Sequence, residues 1–330
     1  MTMRLIQLLL FLCLGVQAKA IDYTRYHEQA ALARTELLNE RLESALSHFD
    51  SAFRTYDFKF SADCVTALQT AAALGKEEAM YRYLVYAAQA GVRPECFRSM
   101  RALAKYMHTP AWRKFTDSMP VYRQVFLSRV DTALNREFTT RFDREQEAKN
   151  GKDMTAYILI VMDNVHRILE LAKDGHYPGE RQIGPMNAYV ATQPRGIPEG
   201  PCNAGEILER ASLLHHPYSY ALLQAYWPAL LQRGDVHPNL VCEIYFFNTQ
   251  FGQRGYDAIR ARFKNPPAPI IITDDMIWKA AGDYEVRGAD TVARNRQRWY
   301  LTPMHTPLGV MQLESKYNIE IATPFGLNAY

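Results

Sequence analysis

SADCVTALQTAAALGKEEAMYRYLVYAAQAG, residues 61–91, is the stretch that decides the fold. Ser61 and Asp63 stand where a helix start finds its caps, and a helix can run from there through Leu74. Gly75-Lys76 breaks it. Glu77 to Ala90 forms a second helix, which Gly91 ends. Ala67, Ala71 and Ala72 are small enough to let the two helices approach closely. Ala79, Tyr83, Leu84, Ala87 and Ala88 recur on the second helix at spacings of three and four, the period of a buried helical face.

The same period extends outward in both directions. Upstream, Leu32, Leu37, Leu38, Leu42, Leu46, Phe49 and Phe53 recur within Tyr23 to Phe58, with charges between them. Downstream, Pro94 opens a helix to about Met107, and Pro110 starts a short one with Trp112 and Phe115. One long helix is predicted from Val121 to about Ala148, ended by Asn150-Gly151-Lys152, and another from Met154 to Lys173. Pro185 to Gly205 reads as a loop. Further helices are expected over Ala204 to Leu214, Pro217 to Gln232, Pro238 to Phe247 and Val292 to Leu301. Ile270 to Ile272 reads either as a short strand or as the approach to a helix capped by Thr273-Asp274-Asp275. Sustained strand alternation is absent. The predicted fold is all-α, with an N-terminal repeat-like helical array over 21–118 and a C-terminal helical domain over 119–330.

Residues 1–20 read as a secretory signal: Arg4, an apolar run from Leu5 to Val16, and a small-x-small site at Ala18-Lys19-Ala20. The run is short for a membrane span, which needs about 20 residues. Phe11 and Leu12 before Cys13 argue against a lipid-attachment site. The expectation is a periplasmic or secreted protein with no transmembrane span after cleavage. The formal net charge is +3, from 38 basic and 35 acidic residues, and it falls to about +1 once Arg4 and Lys19 leave with the signal. So even a balance gives no long-range pull on nucleic acid. Arg294, Arg296 and Arg298 could form a local basic patch, but the commoner arrangement is a solvated helix face.

Cys64, Cys96, Cys202 and Cys242 remain in the mature chain. An even count in an exported protein points to disulfides. Of three possible pairings, Cys64–Cys96 with Cys202–Cys242 keeps each bridge within one half of the chain. Four buried free thiols are the alternative.

The run from Cys64 to Phe115, with its small residues, its exit at Gly91 and its Pro110-Ala111-Trp112 turn, resembles a tetratricopeptide-type hairpin of the degenerate kind found in exported bacterial proteins. The resemblance implies a helix-turn-helix unit whose partner face, if any, is not marked. The 32 residues between Cys64 and Cys96 approach one repeat of about 34, and equivalent positions of stacked repeats are neighbours. A second resemblance covers about Glu137 to Arg254. Asp143 with Gln146, Asp163-Asn164-x-His166, Gly175-His176-Tyr177-Pro178, Ile183-Gly184 and Leu214-His215-His216-Pro217 look like a bacterial domain family of unknown function. That family carries an Asp-Arg pair late in the domain. The matching region here, Glu243 to Phe251, lacks it. The resemblance implies a helical fold and little chemistry.

Asp163 follows Ile158 to Met162, so its carboxylate must reach solvent, pair or line a site. His166 lies one turn on. His176 stands in a Gly/Pro turn, and Pro217 favours an extended His216 beside His215. Asp163, His166, His176 and His215 are therefore the candidate catalytic set, expected to converge on one polar pocket. A surface ion pair is the plainer account of Asp163 and His166. Likewise, the aromatic clusters Tyr218-x-Tyr220, Tyr226-Trp227 and Tyr245-Phe246-Phe247 suit core packing better than a binding cleft. No H-E-x-x-H, EF-hand, P-loop or G-x-S-x-G sequence occurs, and no metal or cofactor is expected. The composition and pattern point to an exported helical protein that binds a protein or peptide partner. A hydrolase-like activity of the C-terminal domain, using the Asp/His set, is the alternative.

Overall fold

The computed structural model describes residues 22–185, 209–261, 289–302 and 307–319. Every regular element among the described residues is a helix. The signal segment, the loop over 186–205, Cys202 and the 270–275 segment lie outside them.

Helices α1 (Thr24–Leu38), α2 (Leu42–Phe53), α3 (Ser61–Ala73) and α4 (Glu77–Gln89) pack in chain order, each against the next. The residues singled out on 61–91 explain α3's place. Twelve of its thirteen side chains are buried, as expected of a helix that is apolar or small all round. Ser61 and Asp63 are not its caps. The capping position falls to Phe60, which offers no side-chain acceptor, while the Ser61 N–H and the Asp63 carboxylate turn to partners described below.

The expected helix over 94–107 divides into α5 (Pro94–Ser99) and a 3₁₀ segment, Arg101–Tyr106, because Met100 takes an extended backbone with ψ of 114°. Helix α6 (Pro110–Asp117) follows, capped by the Thr109 hydroxyl, which accepts from the Trp112 N–H. The long helix expected from Val121 is two helices, α7 (Met119–Arg129) and α8 (Thr132–Asn150). Val130 is extended, and the Asp131 carboxylate restarts the helix by accepting from the N–H groups of Ala133 and Leu134 at 3.0 and 2.9 Å. That cap satisfies two N–H groups a helix start otherwise leaves bare. Phe126 of α7 packs on Gly91, whose φ of +105° and missing Cβ leave room for the ring; a Cβ there would lie 2.6 Å from it.

Helix α9 (Met154–Lys173) matches its predicted span. After α10 (Glu180–Ile183) and α11 (Arg210–His215), the predicted helix over 217–232 divides into α12 (Ser219–Leu223) and α13 (Trp227–Arg233). Pro228 explains the division, since it has no N–H to give and fits only a first turn. Helix α14 (Pro238–Arg260) runs well past Phe247, followed by α15 (Ala289–Arg298) and α16 (Pro307–Tyr317).

Two cores result. The first holds α1 to α6, with Tyr26, Phe49, Phe60 and Trp112 among its rings. The second is built on Phe138, Ile168, Tyr177, Tyr220, Trp227 and Trp299, so the aromatic clusters of the second half are core residues. The change of core falls between Met119 and Phe138, but α16 returns to the first core through Val310 and Leu313. The first core therefore takes in residues beyond the 21–118 span.

The cysteines correct an expectation. Cys64 and Cys242 are buried free thiols, so neither Cys64–Cys96 nor Cys202–Cys242 is formed. Each is enclosed in its own helix packing, and repeat-length spacing does not bring Cys64 to Cys96. Among the described residues no helix is long and apolar enough to cross a membrane. Arg296 is buried, donating to the Thr302 carbonyl at 2.7 Å, so the 294–298 arginines do not form one solvated face.

Candidate functional site

The four residues predicted to converge take separate places. Asp163 projects from α9 with its side chain 67 % exposed and accepts from Arg141 at 2.7 Å. His166 is 69 % exposed and lies 3.4 Å from Glu170 on the same helix. His176 is exposed in the turn after α9. His215, at the end of α11, does turn back towards α8 and α9, but it meets Glu145.

Glu145 is the centre that results. It sits on α8 with no exposed surface. Asn164 of α9 donates to it at 3.2 Å, the Ser212 hydroxyl of α11 donates to the same oxygen, and His215 Nδ1 lies 3.3 Å from the other oxygen. Asn164 also donates to Ser212 at 3.0 Å. Arg141 joins the surface to this centre, donating to both Asp163 and the Asn164 side-chain oxygen Oδ1. Asp163 and His215 are thus linked through Arg141, Asn164 and Glu145 without touching.

The chemistry follows from the donor set. The Ser212 hydroxyl and the Asn164 amide donate to one Glu145 oxygen, the other oxygen is placed to accept from His215 Nδ1–H, and that arrangement leaves a lone pair on Nε2. The side chain is 32 % exposed. A buried carboxylate that fixes the tautomer of a part-exposed imidazole is the arrangement that prepares a general base. Tyr157 packs edge-on against the ring, with centroids 5.9 Å apart. Ser212 is buried and donates to Glu145 rather than to the imidazole, so it is not placed as a nucleophile. His216 is buried, its Nδ1 accepts from the Tyr218 N–H, and burial pushes its pKa down to about 4. It stays neutral and structural. No cluster of three or more His, Cys, Asp or Glu side chains able to hold a metal occurs among the described residues.

A second polar centre lies where the two cores meet, at the start of α3. Asp63 is buried and ion-paired with buried Arg34 of α1. The Tyr26 hydroxyl donates to it at 3.1 Å, and His237, just ahead of α14, lies 3.4 Å away. Burial opposes the charge on Asp63, yet Arg34 and His237 outweigh it and hold the carboxyl well below its usual range. His27 bonds across the seam to the Leu231 carbonyl at 3.0 Å, and burial pushes its pKa down to about 3. Nearby, the Tyr23 N–H donates to the Gln232 carbonyl at 2.7 Å.

Sequence reasoning read Asp63 as a helix cap and did not single out Glu145. A signal for Glu145 existed: Leu134, Phe138, Phe142 and Glu145 follow one helical stripe, so an acid stands at an apolar position. Comparison with known proteins is silent: no protein family, no curated protein and no solved structure matches the chain.

Proposed function

We propose that the protein is exported and serves as a protein- or peptide-interaction module. The observation that supports this most is the order of packing in the first core. Helices α1 to α4 each lie against the next in the chain, the arrangement that helical-repeat scaffolds use to display an extended surface. The reading also draws on the signal-like residues 1–20 and on the dispersal of Asp163, His166 and His176, which leaves that set without a shared pocket. The test is selection from a displayed random-peptide library on the immobilised mature chain. The expected result is one enriched sequence class binding at micromolar strength, about −8 kcal/mol at 1 μM. Enrichment no greater than on bare support rejects the module. Sequencing the exported product should find Ile21 at its N-terminus, and an intact Met1 would remove the export step.

The Glu145–His215 pair favours a second reading, hydrolase-like chemistry with water as the nucleophile and His215 as general base. Its test is hydrolysis of a panel of activated esters, amides and phosphoesters. His215→Gln should lower any turnover by about 10²–10⁴-fold. Turnover that survives this substitution excludes His215 as the base.

A further inference from the structure

Helix α3 carries no cap of its own. Phe60 holds the capping position, and its side chain cannot accept a hydrogen bond. The acceptor comes from the other core: the Glu180 carboxylate, at the start of α10, takes the Ser61 N–H at 2.6 Å. Glu180 stands 119 positions further along the chain, so this bond exists only while the two cores are docked. We propose that Glu180 is a proton-controlled latch between the two cores, holding the start of α3 most firmly when the carboxyl is protonated and loosening it on ionisation.

The surroundings decide the direction. Glu180 is buried. The charged and titratable groups facing it are Asp63 and Cys64 of α3, Arg129 of α7 and Glu209 just ahead of α11. Arg129 favours the ionised form, and so does the Ser61 N–H. Asp63 opposes it, as does burial, which is the largest influence, and the pKa rises to about 7. Glu209 adds a second buried carboxyl, also pushed up by burial, whose oxygens have no partner beyond its own backbone N–H. Arg129 leaves its Nε and Nη2 without a hydrogen-bond partner.

An undocked Glu180 would titrate near the ordinary 4.5, and a docked one near 7. The docked state therefore binds the extra proton, and undocking is favoured increasingly as pH rises from 4.5 to 7, then levels off. The seam histidines act oppositely. Their pKa values are lowered, so they favour undocking as pH falls below 6.5. A comparison with Glu180→Gln cancels them.

Cys64 is the reporter, a buried free thiol beside Glu180, while Cys242 is a buried free thiol in the second core. Both are labelled with a maleimide in the full mature chain, and the rate at each is read by peptide mass spectrometry from pH 5 to pH 8. For Cys64, the wild-type rate divided by the Glu180→Gln rate should climb on the order of 50-fold across that range, with most of the rise complete near pH 7. For Cys242 the ratio should stay flat. A pH-independent ratio at Cys64 overturns the latch, and an equal climb at Cys242 replaces it with global loosening. If Glu180→Gln does not fold, ¹³C-glutamate NMR of the wild-type chain decides. With the Glu209 signal identified by its loss in Glu209→Gln, a remaining carboxyl titrating near 7 supports the latch, and every remaining glutamate titrating near 4.5 ends it.

Discussion

The Asp63 and Glu145 centres each bury a carboxylate almost completely, and they differ in what faces it. Asp63 meets a guanidinium, a phenol and an imidazole drawn from both cores. Glu145 meets a hydroxyl, an amide and an imidazole from helices of one core, and the imidazole reaches the surface. A buried charge needs a partner wherever it sits. The Asp63 centre satisfies that need with an opposite charge and so ties two cores together. The Glu145 centre satisfies it with neutral donors and leaves one nitrogen free to act. The first arrangement is a joint, and the second is a place where chemistry can happen.

The largest test of this contrast is Arg34→Met. It leaves Asp63 buried and uncompensated, and should cost about 3–5 kcal/mol in urea unfolding. A loss below about 1 kcal/mol would mean that the seam does not depend on the pair. Stability against pH comes next. Folding holds His27 neutral to about 3, so its contribution is intact above 6.5 and declines as pH falls, by roughly 2 kcal/mol between 6.5 and 5. Asp63, with its lowered pKa, adds a further loss below about 4. Melting curves should show this acid loss, and His27→Gln should blunt it; an unchanged slope in that variant places the acid sensitivity elsewhere. Glu145→Gln keeps the shape and replaces one acceptor oxygen with an amide NH2 in a setting of neutral donors. It should cost about 1–2 kcal/mol, clearly less than Arg34→Met, and an equal or larger cost would erase the distinction between the centres. Asp163→Asn should change stability by under about 0.5 kcal/mol, because its pair with Arg141 is solvated. A loss above 1 kcal/mol would show that the surface link supports Glu145.

Much of the fold was legible residue by residue. The three- and four-residue spacing on 61–91 marked α3 and α4, and Gly75 and Gly91 marked their ends. The span Met154 to Lys173 was legible as α9, whereas the Asp153 carboxylate that caps it was not singled out in the sequence. Breaks were harder. Nothing in the local pattern of Val121 to Ala148 forbids one helix, yet Val130 is extended and the Asp131 carboxylate caps a second helix. The candidate set fared unevenly for the same kind of reason. The i+3 spacing of Asp163 and His166 puts them on one face, but whether that face points inward depends on what covers it, and nothing among the described residues does.

By itself the sequence determined what depends on neighbours in the chain: helical periodicity, the starts and stops set by Pro, Gly and Asp, and the small residues that let α3 sit at the centre. Only the tertiary structure decided which polar residues matter. The hydrogen bonds that define both centres join residues 19 to 174 positions apart, from Asn164 and Glu145 to His237 and Asp63. A charge is tolerated inside a protein only by the partners that surround it in space. Those partners come into being when the cores dock, and no local pattern records them.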